Sequence, residues 1–231
     1  MALNKSKGNM YEFVTHTWNT IKGECPHNCS YCYMKRWGKQ KPVRFDEKEL
    51  KTNIGEGNFI FVGSSCDMWA DDIPDEWIKQ TLEYCSRFDN SYLFQTKKPE
   101  NFIGIELPED SVICTTIESD SYYPEIMRNS PEPMQRSIAM QELSSFYDTY
   151  VTIEPIIDFN IEQFVKMIKR CNPKQVNIGA DSGGNGLPEP PKEKVLQLIE
   201  KLQEFTQIHA KSNLKRILKP QTGRKQNTIY K

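Results

Sequence analysis

Gly23-Glu24-Cys25-Pro26-His27-Asn28-Cys29-Ser30-Tyr31-Cys32-Tyr33 places three cysteines within eight residues, at the spacing C-x3-C-x2-C. Thiolates bind soft metals and iron–sulfur clusters. Three cysteines in one loop can hold three irons of a cubane and leave the fourth open to a bidentate small molecule. A mononuclear zinc site wants a fourth ligand. His27 lies inside the loop, where chelation beside its neighbours is strained, and His209 is distant in sequence; with either, the chain reads as a nonenzymatic zinc-binding interaction module. The remaining cysteines, Cys66, Cys85, Cys114 and Cys171, are dispersed. An odd total without an export signal argues against a disulfide framework.

Outward from the loop, short apolar runs alternate with amphipathic stretches. A strand over 12–18 precedes the loop. Phe59-Ile60-Phe61-Val62 reads as a buried strand closed by Gly63. After Pro74, residues 75–88 carry Trp77, Ile78, Leu82 and Cys85 at helical spacing. Strands follow at 92–96 and 111–117, then a helix at 134–146 and a strand at 150–153 stopped by Pro155. A helix at 161–171 has Phe164, Val165 and Ile168 on one face, and a strand at 175–178 ends at Gly179. Residues 182–191 are a Gly- and Pro-rich loop. A long helix is expected over 191–210 and a last short strand over 214–218. Such alternation predicts parallel β/α units. About six fit, fewer than the eight of a closed barrel. The expected fold class is α/β, a partial (β/α)6 barrel open on one side. It forms a single domain over 1–231, with a polar lead-in at 1–10 and a basic segment at 211–231.

The cysteine loop resembles the signature of the radical S-adenosylmethionine (SAM) superfamily, C-x3-C-x-aromatic-C, with Tyr31 in the aromatic place. The resemblance implies a [4Fe–4S] cluster held by Cys25, Cys29 and Cys32, with SAM on the open iron. It implies reductive cleavage of SAM to a 5′-deoxyadenosyl radical that abstracts a substrate hydrogen. An external one-electron donor of the flavodoxin or ferredoxin type is implied too. With Gly63-Ser64-Ser65, Thr96-Lys97-Lys98-Pro99, Glu154-Pro155 and Gly179-Ala180-Asp181-Ser182-Gly183, the chain looks most like a small radical SAM group of phage genomes near the spore photoproduct lyase branch. That branch acts on thymine in DNA, so the resemblance implies a nucleobase or modified thymidine in DNA as substrate. A free small molecule or a peptide is the rival.

In parallel β/α folds reactive groups gather at the carboxyl ends of strands. Ser64 and Ser65 stand where most superfamily members carry glycine and glutamate for the SAM amino group; hydroxyls and backbone carbonyls can accept the same N–H bonds, and Asp67 is an alternative for the acidic place. Lys97 either reaches into the barrel or is solvated. Glu118 stands where the resemblance implies a contact to the SAM ribose. Arg136 suits the SAM carboxylate, because guanidinium pairs bidentately with carboxylates. Glu154 ends an apolar strand, where a carboxylate is costly to bury without a partner. It is a candidate for SAM or substrate contact. Gly179 and Asp181 belong to the turn that the resemblance sets beside the adenine. Cys66 and Cys114 lie near strand ends, and one could donate a hydrogen. The candidate catalytic residues are therefore Cys66, Lys97 and Glu154; the candidate cofactor contacts are Tyr31, Ser64, Ser65, Glu118, Arg136, Gly179 and Asp181.

The 30 basic and 31 acidic residues leave a formal net charge of −1, which by itself names neither a nucleic-acid nor a membrane partner. No apolar run approaches the ~20 residues that span a bilayer. Met1 to Met10 is polar and lacks the core of a signal peptide, so a cytoplasmic protein is expected. Lys211, Lys215, Arg216, Lys219, Arg224 and Lys225, and Trp37 after Lys35-Arg36, could bind phosphates and stack bases, or simply face solvent.

Overall fold

The computed structural model describes residues 3–219. Ten strands form: β1 (Asn4–Lys5), β2 (His16–Trp18), β3 (Ile21–Lys22), β4 (Arg44–Phe45), β5 (Phe59–Val62), β6 (Ser91–Thr96), β7 (Ser111–Thr116), β8 (Asp148–Ile153), β9 (Gln175–Ile178) and β10 (Gln207–Ala210). Eight make one sheet in the order β1-β2-β5-β6-β7-β8-β9-β10, while β3 and β4 pair separately. From β2 to β10 every neighbouring pair is parallel, and β1 adds antiparallel to β2. No pairing joins β1 to β10 among the described residues, so the sheet has two free edges. This is the partial, open β/α barrel expected from the alternation.

The helices are α1 (Asp75–Cys85), α2 (Pro124–Met127), α3 (Pro133–Leu143), α4 (Ile161–Arg170), α5 (Lys192–Gln203) and α6 (Lys215–Leu218). Local chemistry starts them. Pro133 at the first position of α3 needs no donor there, and the Asn160 side chain accepts from Gln163 N at the start of α4. The period-2 alternation of the strands divides the sheet into two faces. Ile60, Val62, Tyr92, Phe94, Ile113, Val151, Val176 and Ile178 pack against Leu82, Met140, Phe164, Ile168, Leu198 and Leu202 of the helices. The inner face carries Phe61, Leu93, Val112 and Cys114, covered by Tyr11 and Val14. The polar lead-in thus feeds β1 and then drops Tyr11 into the barrel, where its hydroxyl donates to Gln95 Oε1 and lies 2.8 Å from Thr152 Oγ1.

Two expectations need correction. The helix expected over 191–210 stops at Gln203, where Phe205 N and Thr206 N both donate to Leu202 O and the Thr206 hydroxyl turns to Pro173 O. The strand expected over 214–218 lies instead at Gln207–Ala210, paired with β9, and residues 215–218 are helical. Of the basic C-terminal segment, Arg224 and Lys225 lie outside the described residues. No helix among those described is long and apolar enough to cross a membrane.

Candidate functional site

The cysteine loop leaves β3 through Gly23, whose φ of +118° and whose Cα, facing Pro42 O at 2.6 Å from any added Cβ, admit only glycine. The loop is braced from outside. Ser30 N donates to Ile126 O, Asn129 N to His27 O, and the Asn129 amide to Pro26 O. Cys25, Cys29 and Cys32 all line one cavity of about 930 Å³ at the carboxyl ends of the strands. Cys29 is buried, with Sγ 3.2 Å from Ser130 Oγ. The neighbouring Cys66 thiol holds Cys25 down to about 6 and is itself pushed up.

His27 is not free for a metal. Its Nε2 lies 2.9 Å from Asp67 Oδ2, and the ring is buried. Burial disfavours the imidazolium, but the hydrogen bond and charge of Asp67 outweigh it and raise the pKa above its usual value. Asp67 also accepts from the Thr96 hydroxyl, Lys97 N and Trp69 N. One carboxylate thereby ties the cysteine loop to the ends of β5 and β6. Among the described residues no three His, Cys, Asp or Glu side chains gather round a single point as one metal ion requires. A cubane asks for something else, since each thiolate takes a different iron. Three thiols on one cavity wall, with a lysine beside Cys29, fit that group.

Beneath Tyr31 lies a buried ionic cluster. The Tyr31 hydroxyl donates to Glu118 Oε1, and Arg136 Nη1 donates to Glu118 Oε2 at 2.7 Å. Arg136 Nη1 also donates to Thr116 O and Nε to Pro131 O, with Nη2 facing Met127 Sδ at 3.9 Å, and both charged residues are fully buried. Burial alone would raise the Glu118 carboxyl; Arg136 and Lys97 reverse that and hold it below its usual range. Arg136 and Glu118 therefore stand behind the cavity wall, not on it. Lys97 does line the cavity. Its Nζ sits 4.0 Å from Glu118 Oε1, beyond hydrogen-bond reach, and 5.4 Å from the Tyr31 ring centroid. Burial opposes its charge, yet Cys29 and Glu118 raise its pKa, so the ammonium persists.

The opposite wall is built around Glu154. Its carboxylate accepts from Asn9 Nδ2 and Asn213 Nδ2 at 2.7 Å each and pairs with Lys211. Lys211 Nζ also lies 4.4 Å from the Tyr11 ring centroid. A Cβ on Gly179 would fall 2.7 Å from Glu154 Cδ, so the glycine is what lets this carboxylate seat. Ser64 Oγ and Ser65 N both bond Asn19 Oδ1, and Tyr33 donates to Ser64 O. The Asp181 carboxylate is turned back on its own loop, accepting from Gly183 N and the Asn185 amide.

The structure thus brings Cys25, Cys29, Cys32, Tyr31, Ser64, Ser65, Cys66, Lys97, Glu154 and Asp181 to one cavity. It sets Glu118 and Arg136 just behind it and Gly179 under Glu154. Asn9, Asp67, Lys211 and Asn213 belong to the same constellation; Asn9 and Asn213 carry no local sequence signal, and Lys211 pairs with Glu154. Lys7, Lys35, Arg36 and Lys39, with Tyr33 and Trp37, complete the lining, and Trp37 is 72% exposed.

No family model and no curated protein sequence matches the chain. Solved structures do. A spore photoproduct lyase mutant superposes with a TM-score of 0.65 at 12% identity, over 90% of this chain and 78% of that one. A second, with bound AdoMet and dinucleoside spore photoproduct, gives 0.58 at 12% over 88% and 66%. SuiB of Streptococcus suis bound to precursor peptide SuiA gives 0.55 at 8% over 85% and 48%. The chain has the fold of these radical SAM enzymes.

Proposed function

We propose that the chain is a radical SAM enzyme whose [4Fe–4S] cluster is held by Cys25, Cys29 and Cys32. The observation that carries this reading is the opening of those three thiols onto one cavity at the strand ends, in a fold shared with radical SAM enzymes. Held by Cys25, Cys29 and Cys32, a reduced cluster would supply the one electron needed to cleave the sulfonium of SAM to methionine and a 5′-deoxyadenosyl radical able to take a hydrogen from the substrate. The chain's own residues do the rest. Lys97 offers an unspent ammonium beside Cys29, suited to an anionic group of the cofactor. Ser64, Ser65 and the Gly179–Asp181 turn present hydroxyls and backbone to it. Cys66 stands next to the cysteine loop, where its thiol can return a hydrogen atom. The electron comes from an external donor of the flavodoxin or ferredoxin type.

A nucleobase in a nucleotide or in DNA is the substrate class best supported. The rim of the same cavity combines Lys7, Lys35, Arg36 and Lys39 with exposed Tyr33 and Trp37, groups that bind phosphates and stack bases. A spore photoproduct lyase carries a dinucleoside in the corresponding fold. Anaerobic reconstitution tests the cofactor: about four irons and four sulfides per chain are expected, lost in Cys29→Ala. One stoichiometric zinc and no sulfide would overturn the reading. Formation of 5′-deoxyadenosine on reduction with dithionite tests the chemistry.

A further inference from the structure

The helix layer has a gap. The crossovers containing α1, α3, α4 and α5 cover the sheet, whereas the chain between β6 and β7 makes only a 3-10 turn at Pro99–Phe102 and then runs irregularly to Ser111. Parallel strands are ordinarily joined through a helix. Beside α1, where that helix would pack, the structure has an open groove of about 1530 Å³. It runs the height of the layer, from Glu56, Asp89 and Asp110 before the strands to Asp71 and Asp72 beyond the end of β5.

Its charge is one-sided. Eleven carboxylates and two basic side chains line it, in a chain whose formal net charge is only −1. Asp71 pairs with Lys98 and Glu83 with Lys79; among the described residues the other nine have no cation within salt-bridge distance. Its apolar side chains are not all covered: Ile103 is 45% and Ile105 36% exposed. Two polar atoms of lining residues are buried without partners, Trp69 Nε1 and Glu100 Oε2, and Trp69 is wholly buried. A buried acceptor left unpaired costs about 1–3 kcal/mol, and Glu100 carries one in the lining of this groove.

We propose that this groove docks a lysine- or arginine-rich amphipathic helix of a partner protein, which takes the place of the missing crossover helix. The apolar stripe of that helix covers Ile103 and Ile105 at i, i+3, i+4 spacing, and its basic flanks meet Glu76, Glu83, Glu106 and Glu109. Charge complementarity selects it, since nucleic acid or an acidic protein would be repelled. The site is separate from the cysteine cavity and does not depend on the chemistry there.

A fluorescein-labelled leucine–lysine peptide of about five helical turns is the probe, read by anisotropy. Binding of one peptide per chain is expected, at least tenfold weaker for a shuffled peptide of equal charge that cannot form an apolar stripe. Two sets of exposed substitutions, Glu83→Lys with Glu106→Lys and Glu109→Lys, and Ile103→Asn with Ile105→Asn, should each weaken it tenfold. Equal binding of the shuffled peptide, or unchanged binding by either variant, would overturn the proposal. Hydrogen exchange on the unaltered protein should slow over 75–90 and 99–110 when peptide is added; protection confined to other segments also overturns it. A dimer without peptide that the charge reversals dissolve would assign the groove to a second copy instead.

Discussion

The Cα of Gly179 lies against the Glu154 carboxylate so closely that a methyl group there would fall 2.7 Å from Cδ and from Oε1. Gly179→Ala is therefore expected to cost about 1–3 kcal/mol, as overpacking does. The same change in a Glu154→Ala background should cost clearly less, since the Glu154 clash is gone and only a 3.0 Å approach to Asn213 Oδ1 remains. Urea denaturation of the four proteins gives the coupling directly. Equal cost in both backgrounds would mean that Gly179 matters for some other reason.

Arg136 and Glu118 make a buried pair, and each is expensive to leave alone. Arg136→Met should destabilise by about 3–5 kcal/mol, a larger effect than on SAM affinity. A variant of full stability with weakened SAM binding would instead put Arg136 in contact with the cofactor.

The pH dependence of that pair has a definite sign. Glu118 is held below the usual range, burial notwithstanding, by Arg136 and Lys97. A depressed carboxyl contributes stability that is present above its unfolded value of about 4.3 and is lost as pH falls through the folded value. The stability gap between the wild-type protein and Glu118→Gln should narrow from pH 7 to below pH 4. A gap constant with pH would contradict the assignment.

Lys97 lines the cavity with its ammonium outside hydrogen-bond reach of Glu118. Lys97→Met should weaken SAM binding by roughly 10–100-fold, the worth of a hydrogen bond to a charged group, while iron content stays as in the wild type. Equilibrium dialysis of the reconstituted protein checks both. Unchanged affinity would remove Lys97 from the cofactor site.

If the rim receives nucleic acid, Arg36→Gln and Lys39→Gln should each lower the slope of log affinity against log salt by about 1. Trp37→Ala should cost about 1–3 kcal/mol through lost base stacking. Titration of a labelled oligodeoxythymidine supplies both numbers. No binding at low salt would leave the small-molecule or peptide substrate in its place.

The cysteine loop and most of the strands were legible in the sequence because their signals are local: a ligand spacing, and apolar runs closed by Gly63, Pro155 and Gly179. The last helix and strand were misread for a local reason too. Phe205 and Ile208 extend the apolar period of α5 past the point where Leu202 O takes two donors and the helix ends. Arg136 reads in the sequence as a partner for the SAM carboxylate because nothing near it shows Glu118, the carboxylate 18 residues upstream that it pairs with. Asn9 is illegible as a site residue, and Asp67, a candidate in the sequence for the acidic place after β5, shows none of its partners there. Their roles exist only when β5 meets β6 and the cysteine loop, and when the first arm crosses to Glu154, 145 residues away.

That crossing has a consequence for how the molecule is made. Asn9 reaches Glu154 and Ser212, the latter 203 positions along the chain. Contacts this remote in sequence form late, because a long loop must close before they return any stabilisation. The arm carrying Tyr11 cannot be fully latched until synthesis has passed Asn213. Until then the hydrogen bonds that tie this arm to the Glu154 wall of the cavity stay unmade, so the first residues synthesised are among the last to be fixed in place.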